Sequence, residues 1–333
     1  MSREREIDVE NSEVLLLQIT IQHKTISMGM KNMDVFDCII IGGGPSGLSA
    51  SLTLGRARRK IALFDDGTNR NRVTQESHGF ITRDGIKPQA FKELGLTELK
   101  NYPTISYFNA TITEIMKDRG NDRFLVKTAN GQEYVTEKII LATGIQEVFS
   151  IPSIRNYYGK SLFSCPYCDG WEQRDKPLVV IAEKEEHVLH LAKLVYNWSQ
   201  DLVVLTNGNQ LSNEGVTELQ KRNIKIISEP VKSLLGNDGY LQKIEFVTGD
   251  SIIRSGGFVA PTYYRPNQFA EKLGCEIRED GKVITDGVGR TTQKNIYIAG
   301  ETEKTRPTSL LISAAKGNKA AVAVNTDLTM ERF

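Results

Sequence analysis

Short uninterrupted apolar runs recur along the chain, several of them leading through a polar or glycine-rich turn into a stretch of helical periodicity. The first run, Phe36-Asp37-Cys38-Ile39-Ile40-Ile41, has the pattern of a parallel strand buried on both faces. Gly42 to Gly47 follow, Leu48 to Arg58 reads as a helix, and Ile61 to Phe64 gives a second strand ending at Asp65 and Asp66. This is a βαβ opening. Further strands are predicted at Ile105 to Phe108, Phe124 to Thr128 and Ile139 to Ala142, and the block closes near Ile151-Pro152. A second strand-helix-strand unit runs from Leu178 to Ile181, through a helix from about His187 to Ser199, to Leu202 to Leu205. Tyr240 to Thr248 and Ser251 to Ala260 read as meander strands. Asn295 to Ala299 and a helix from Ser309 look like a return to the first domain. The fold class is therefore α/β, with two Rossmann-like three-layer domains. Residues 34–152 and 284–333 form one, residues 153–283 are inserted in it, and residues 1–33 form an N-terminal extension.

A length of 333 residues suits two domains at about 150 residues each. Lys and Arg number 42 against 41 Asp and Glu, so the net charge of +1 gives no field drawing the protein to nucleic acid or an anionic membrane. Neither is expected as a partner. No run approaches the roughly 20 apolar residues of a membrane helix. Met1 to Glu10 mixes Arg with Glu and Asp and lacks the basic region and small-residue cleavage site of a secretory signal, so a cytoplasmic location is expected. Of four cysteines only Cys165 and Cys168 are close in sequence, which indicates one reactive pair in a reducing compartment rather than a disulfide scaffold.

Two motifs carry chemistry. Gly42-x-Gly44-x-x-Gly47, with Pro45 and Ser46 inside it, lies between a strand and a helix. Its glycines permit a tight turn and close approach of a diphosphate to the helix N-terminus. Asp65 follows at the end of the second strand, where a carboxylate accepts hydrogen bonds from a ribose. The pattern calls for a dinucleotide and does not distinguish FAD from NAD. The second motif is Cys165-Pro166-Tyr167-Cys168-Asp169-Gly170, whose thiols can close a small disulfide ring. A structural zinc site needs four ligands, and His23, His78, His187 and His190 form no paired spacing with these cysteines, so no metal is expected. The run Arg56, Arg58, Arg59, Lys60 reads as a solvated helix end, and Cys38 and Cys275 as small core residues.

The order of these motifs, together with Ala142-Thr143-Gly144 and Tyr297-Ile298-Ala299-Gly300, resembles the low-molecular-weight thioredoxin reductases over about residues 34 to 330. Within that superfamily, Cys165 to Trp171 and Ser77-His78-Gly79-Phe80 are most similar to thioredoxin-reductase-like flavoproteins that include the dithiol oxidases. The resemblance implies FAD held by Gly42, Gly44, Gly47 and Asp65, with Asn71 and His78 near the flavin, Ala142, Thr143 and Gly144 passing the cofactor, and Gly300 with Glu301 at the ribityl chain. The family's Asp after this glycine is here Glu301, and its Arg-Gln-Ala is here Thr308-Ser309-Leu310. The resemblance also implies that Cys168 faces the flavin, that Cys165 exchanges with substrate, and that Asp169 transfers the proton. A homodimer and a thioredoxin-like protein or small dithiol substrate are implied as well.

One departure is informative. Where NADPH-dependent members carry a second glycine fingerprint, this chain reads Ala182-Glu183-Lys184-Glu185-Glu186-His187, with three carboxylates near the expected diphosphate. The inserted domain is thus expected to be a degenerate NAD(P)-type domain carrying the Cys pair. The expected activity is FAD-dependent thiol-disulfide exchange without NADPH at the usual site, with oxygen or ferredoxin as possible electron partners. The alternatives are an NADPH-dependent thioredoxin reductase and a catalytically silent flavin-binding sensor.

Overall fold

The computed structural model describes residues 34–118, 120–304 and 306–333. The expected N-terminal extension, with its candidate strand at Val14 to Ile21, lies outside the described residues. The first domain opens with β1 (Val35–Ile41), α1 (Pro45–Arg56), β2 (Ile61–Asp65), α2 (Pro88–Leu99), β3 (Ile105–Asn109), β4 (Ile112–Asp118), β5 (Arg123–Thr128) and β6 (Glu133–Leu141). Its sheet runs β3-β2-β1-β6-β5-β4. β1, β2, β3 and β6 are parallel, and the β4-β5 hairpin adds antiparallel to β6. The isoleucines of β1 are buried on both faces, as an uninterrupted apolar strand requires.

The chain then crosses through β7 (Gln146–Val148) into β8 (Leu162–Phe163), α3 (Pro166–Asp169), β9 (Leu178–Ile181), α4 (Glu185–Val195), β10 (Leu202–Leu205), α5 (Asn213–Gln220) and β11 (Lys225–Ile227). A meander of β12 (Val231–Asn237), β13 (Tyr240–Phe246) and β14 (Ser251–Ile253) precedes β15 (Gly256–Val259). The second sheet has the order β11-β10-β9-β15-β8. Ser251 to Ala260 is therefore not one meander strand. It breaks at Arg254-Ser255, because the fully buried Gly256-Gly257-Phe258-Val259 pairs in parallel with β9 while the half-exposed β14 stays with β13.

The return passes through β16 (Thr262–Tyr264), α6 (Phe269–Lys272), β17 (Ile296–Ile298) and α7 (Leu310–Arg332). β16 pairs antiparallel with β7, so the two crossings form one ribbon with Tyr263 opposite Glu147. Phe269, Ala270, Cys275 and Val283 are buried in the same cluster as Phe36, Ile39 and Ile298, so packing on the first sheet resumes ahead of residue 284. On the edge away from β1, β6 serves two neighbours: its first half pairs with β5 and its last residues pair with β17.

α7 closes the first domain by packing Ala320, Ala321, Ala323, Val324 and Leu328 into a cluster with Leu54, Leu63 and Ile140. Two polar anchors fix it. Fully buried Lys138 donates to Asn295 at 2.8 Å and to both carboxylate oxygens of Glu331 at 2.9 and 2.8 Å. Arg59 donates to Asn325 Oδ1 and Thr329 Oγ1, each at 2.7 Å, so this one residue of the basic run docks α7 while Arg56 and Arg58 stay exposed at the helix end as expected. The closest approach is at Gly317, where an added Cβ would lie 1.9 Å from the Ser46 carbonyl oxygen. Gly317→Val should push α7 off α1, at about 1–3 kcal/mol for overpacking. A lower melting temperature and a lower ratio of bound flavin to protein are expected, and wild-type values for both would contradict this packing.

Candidate functional site

The glycine turn gains its shape from the two strands that flank it. Gly42 N–H donates to the Phe64 carbonyl at 2.7 Å, and an added Cβ at Gly42 would lie 2.3 Å from the Ala142 oxygen. Gly44 is the N-cap of α1 with Pro45 at the first helical position, where the missing N–H and fixed φ cost nothing. Gly47 lies under the turn, because a Cβ there would stand 1.8 Å from the Gly42 oxygen. At Gly44 a Cβ would meet nothing within 4 Å among the described residues. Gly42 and Gly47 are needed for the fold, and Gly44 leaves room above it.

That room is part of a groove enclosing about 1100 Å³ together with its open mouth. The structure brings Gly42, Gly44, Pro45, Ser46, Asp65, Asn71, Ala142, Thr143, Gly144, Glu301 and Leu310 to its wall. Gly47, Gly300 and Ser309 stand behind that wall. Gly300 backs onto Ser46, and Ser309 caps α7 by accepting the Ile312 N–H at 3.3 Å. Asp65 is nearly fully buried; its Oδ1 accepts the Gly43 N–H at 3.0 Å and its Oδ2 pairs with Lys92.

Sequence reasoning missed Arg70. Its guanidinium forks onto Glu301, at 2.9 Å to Oε1 and 3.4 Å to Oε2, and lies 5.9 Å from the centre of the Tyr263 ring. Glu301 Oε1 also accepts the Thr308 N–H at 2.7 Å. The extra methylene of Glu301 is thus taken up by a buried ion pair. Arg70 also lines the groove. No local pattern marks it, since its partner is 231 residues away in sequence.

Cys165 and Cys168 are joined as a disulfide around the single turn of α3, with Cys165 as N-cap and the Cys168 N–H donating to its carbonyl at 3.0 Å. Tyr167 and Trp171 flank the pair and are 76% and 65% exposed. Burial, then the like charge of Glu172, push the Asp169 carboxyl up to about 7 against the opposing pull of Arg70. Arg70 thus acts on the groove and on the acid beside the Cys pair. His78 is not part of the groove wall. Its Nε2 lies 3.7 Å from Glu76 Oε2 and 3.7 Å from Glu172 Oε1, and its Nδ1 lies 3.6 Å from Asp84 Oδ1.

In the inserted domain, the turn between β9 and α4 is closed by its own side chains. Glu183 Oε1 accepts from Asn207 Nδ2 at 2.8 Å, tying the turn to the end of β10. Glu185 accepts the Ser212 N–H at 2.9 Å and the Ser212 hydroxyl at 2.6 Å, tying it to the start of α5.

Residues 36–189 match the pyridine nucleotide-disulphide oxidoreductase family. The chain is 57% identical, with a TM-score of 0.87, to a Bacillus anthracis structure provisionally assigned as thioredoxin reductase TrxB, covering 89% of this chain and 100% of that one. The chain belongs to the thioredoxin-reductase-like FAD disulfide oxidoreductases. An oxidoreductase structure from Agrobacterium tumefaciens is 29% identical with a TM-score of 0.82, covering 89% of this chain and 99% of that one. Thioredoxin reductase aclD of Aspergillus oryzae is 28% identical over 312 residues, 89% of this chain and 98% of the relative.

Members of this family are FAD-binding flavoproteins, and the groove of this oxidoreductase fits the cofactor. Its wall presents the buried Thr143 hydroxyl without a hydrogen-bond partner among the described residues, and Gly44 leaves open the approach to the α1 N-terminus. Gly44→Val should therefore fold with the melting temperature of the wild-type apoprotein yet lose FAD, whereas Gly47→Val should lose both. Thermal unfolding of apoprotein and flavin content after gel filtration check the pair. Full FAD content in Gly44→Val would remove the groove from consideration.

Proposed function

We propose that this flavoprotein exchanges electrons between a dithiol or disulfide substrate, the Cys165–Cys168 pair and FAD, and that it does not take NADPH through the inserted domain. The observation that carries the second half is the closed turn after β9. Glu183 and Glu185 hold that turn to Asn207 and Ser212, and their carboxylates lie where a nicotinamide dinucleotide would need bare amides. A thioredoxin-like protein or a small dithiol is the substrate class, since the relatives carry thioredoxin reductase names and the pair opens beside exposed Tyr167 and Trp171. Oxygen or ferredoxin would complete the electron path. A homodimer is in keeping with the exposed Leu311, Ile312, Val322 and Met330 along α7.

A substrate thiolate attacks Cys165 Sγ, the S–S bond breaks, and Cys168 leaves as thiolate. The second substrate thiol then attacks the substrate sulfur of the mixed disulfide, so the substrate departs oxidised and Cys165 leaves as thiolate or thiol. Asp169 holds a proton at its carboxyl below about pH 7 and accepts one above it, so it can serve either direction of exchange. Bound FAD supplies a two-electron acceptor or donor for the reduced pair. The Arg70 guanidinium, held in place by Glu301, keeps its positive end within reach of both the groove and Asp169.

Two measurements test this reading. Under anaerobic conditions dithiothreitol should bleach the flavin band, whereas NADPH and NADH should leave it unchanged over minutes. Fast bleaching by NADPH would move the protein to the NADPH-dependent reductases, and an intact band with dithiothreitol would remove the Cys pair from the path.

The rate of disulfide opening by dithiothreitol should also depend on pH with a midpoint near 7. It should rise through that midpoint, because the carboxylate is the proton acceptor, and Asp169→Asn should erase the step. Because folding raises this carboxyl above its ordinary value of 3.8, the native state holds a proton that the unfolded chain releases between those values. Its contribution to stability is thus complete below about pH 4 and lost as pH rises through about 7.

A further inference from the structure

Thiol oxidation at a partly buried pair releases protons that have to leave. Asp169 beside Cys168 is the first acceptor on the reading above, but its carboxyl is largely enclosed. The groups acting on it are Glu172, three residues on in the turn after α3, and Arg70 from the loop after β2. Glu172 is split in environment. Its Oε2 is buried without a hydrogen-bond partner among the described residues, while its Oε1 lies 3.7 Å from His78 Nε2. The His78 side chain is 17% exposed. It is also met by Glu76 at 3.7 Å and Asp84 at 3.6 Å, both well exposed, so imidazole bridges from the inserted domain to solvent-facing carboxylates on the first domain. His78 sits in a loop pinned at its base by the Ser77–Ile86 bridge and by the Gly79 N–H donating to Asp84 Oδ1 at 2.8 Å.

We propose that Glu172 and His78 form the proton exit of the dithiol site, carrying the proton taken up by Asp169 to water past Glu76 and Asp84. The proposal rests on the exchange role given above to the Cys pair and Asp169. In this half-reaction the substrate loses two electrons and two protons; the Cys165–Cys168 bond gains the electrons, Cys165 takes one proton as a thiol, and Cys168 stays a thiolate, so that one proton is left over. That proton passes from Asp169 by way of Glu172 and His78 to Asp84 and bulk water, with water carrying each hop, since Glu172 and Asp84 stand 3.7 and 3.6 Å from the imidazole, beyond direct hydrogen-bond reach. Two features of the imidazole suit this. It can hold a proton on either nitrogen, and its Nε2 faces Glu172 and Glu76 while its Nδ1 faces Asp84. Glu172 and His78 are relay residues here; they act through Asp169 and do not touch the sulfurs.

The test uses holoenzyme mixed anaerobically with dithiothreitol, then acid-quenched and alkylated, counting labelled Cys165 and Cys168 by mass spectrometry, so that the readout does not depend on the flavin. In weak buffer His78→Ala should open the disulfide about tenfold more slowly than wild type, at the low end of what a proton-transfer group contributes. Added imidazole should restore most of the loss in His78→Ala and leave wild type unchanged. Glu172→Gln should also slow opening, and it should move the pH midpoint toward acid because a like charge next to Asp169 is gone. Slow opening that imidazole does not rescue, or wild-type rates in His78→Ala, would overturn the relay. Should His78→Ala not fold, the Glu172→Gln midpoint decides, and an unmoved midpoint counts against the proposal. Asp169→Asn is run beside them. Wild-type rates in that variant would instead remove the exchange role on which the relay rests, which keeps the two failures apart.

Discussion

A guanidinium enclosed by protein needs a counter-charge held in fixed geometry, and in this fold Arg70 receives its forked partner from a distant segment of the chain. Arg70 follows β2, whereas Glu301 follows β17, and each is less than one-fifth exposed at the side chain. Desolvating both groups costs several kcal/mol per ion, which is recovered only with a forked contact and further hydrogen bonds. Thr308 supplies one of these. The pair therefore depends on α7 lying across α1, and that in turn depends on Gly317 against Ser46. Cradle, C-terminal helix and ion pair form together, and Arg70 reaches from them toward Asp169 across the domain junction.

The inserted domain shows how one set of charges can stabilise a fold and close a site. Glu185 and Glu186 occupy the first turn of α4, where the helix field favours carboxylates. Glu185 also holds Ser212, which caps α5 by accepting the Gly215 N–H at 3.1 Å. A diphosphate at the same turn would have to displace these bonds and face their charge. The parallel sheet persists regardless, because β9, β10 and β15 are held by apolar burial that owes nothing to the turn.

Much of the architecture was legible in the sequence because buried parallel strands announce themselves as uninterrupted apolar runs. β1, β2, β9 and β10 were read within a residue or so of their bounds. The glycine turn was legible for a steric reason, as Gly42 and Gly47 sit where a Cβ would strike backbone. What escaped depends on contacts between remote segments. Nothing near Ser251 to Ala260 says that Gly256 to Val259 leaves the meander for β9, since that choice is made by burial on the second sheet. Arg70, Lys92 and the role of Arg59 in docking α7 each have partners more than twenty-five residues away. His78 carries the same lesson. Its local sequence resembles a flavin-side loop, yet its nearest charged neighbour from the other domain is Glu172.

The position of the Cys pair follows from these constraints taken together. One side of α3 is tied to the ribbon and its surroundings: Ser164 shares a hydrogen bond of 2.8 Å with Tyr158, and Tyr263 of β16 stands against both Ser164 and Arg70. The other side carries Tyr167 packed edge-on to Trp198 and Trp171 lying against Arg174. The disulfide is thus placed between a charged junction that leads to the groove and an aromatic face open to solvent. An acid poised near neutrality at that position favours neither oxidation nor reduction of the pair by itself. On the proposed function, direction is therefore set by the potentials of the thiol substrate and the electron partner, and the protein's own contribution is to keep the proton inventory balanced whichever way electrons flow.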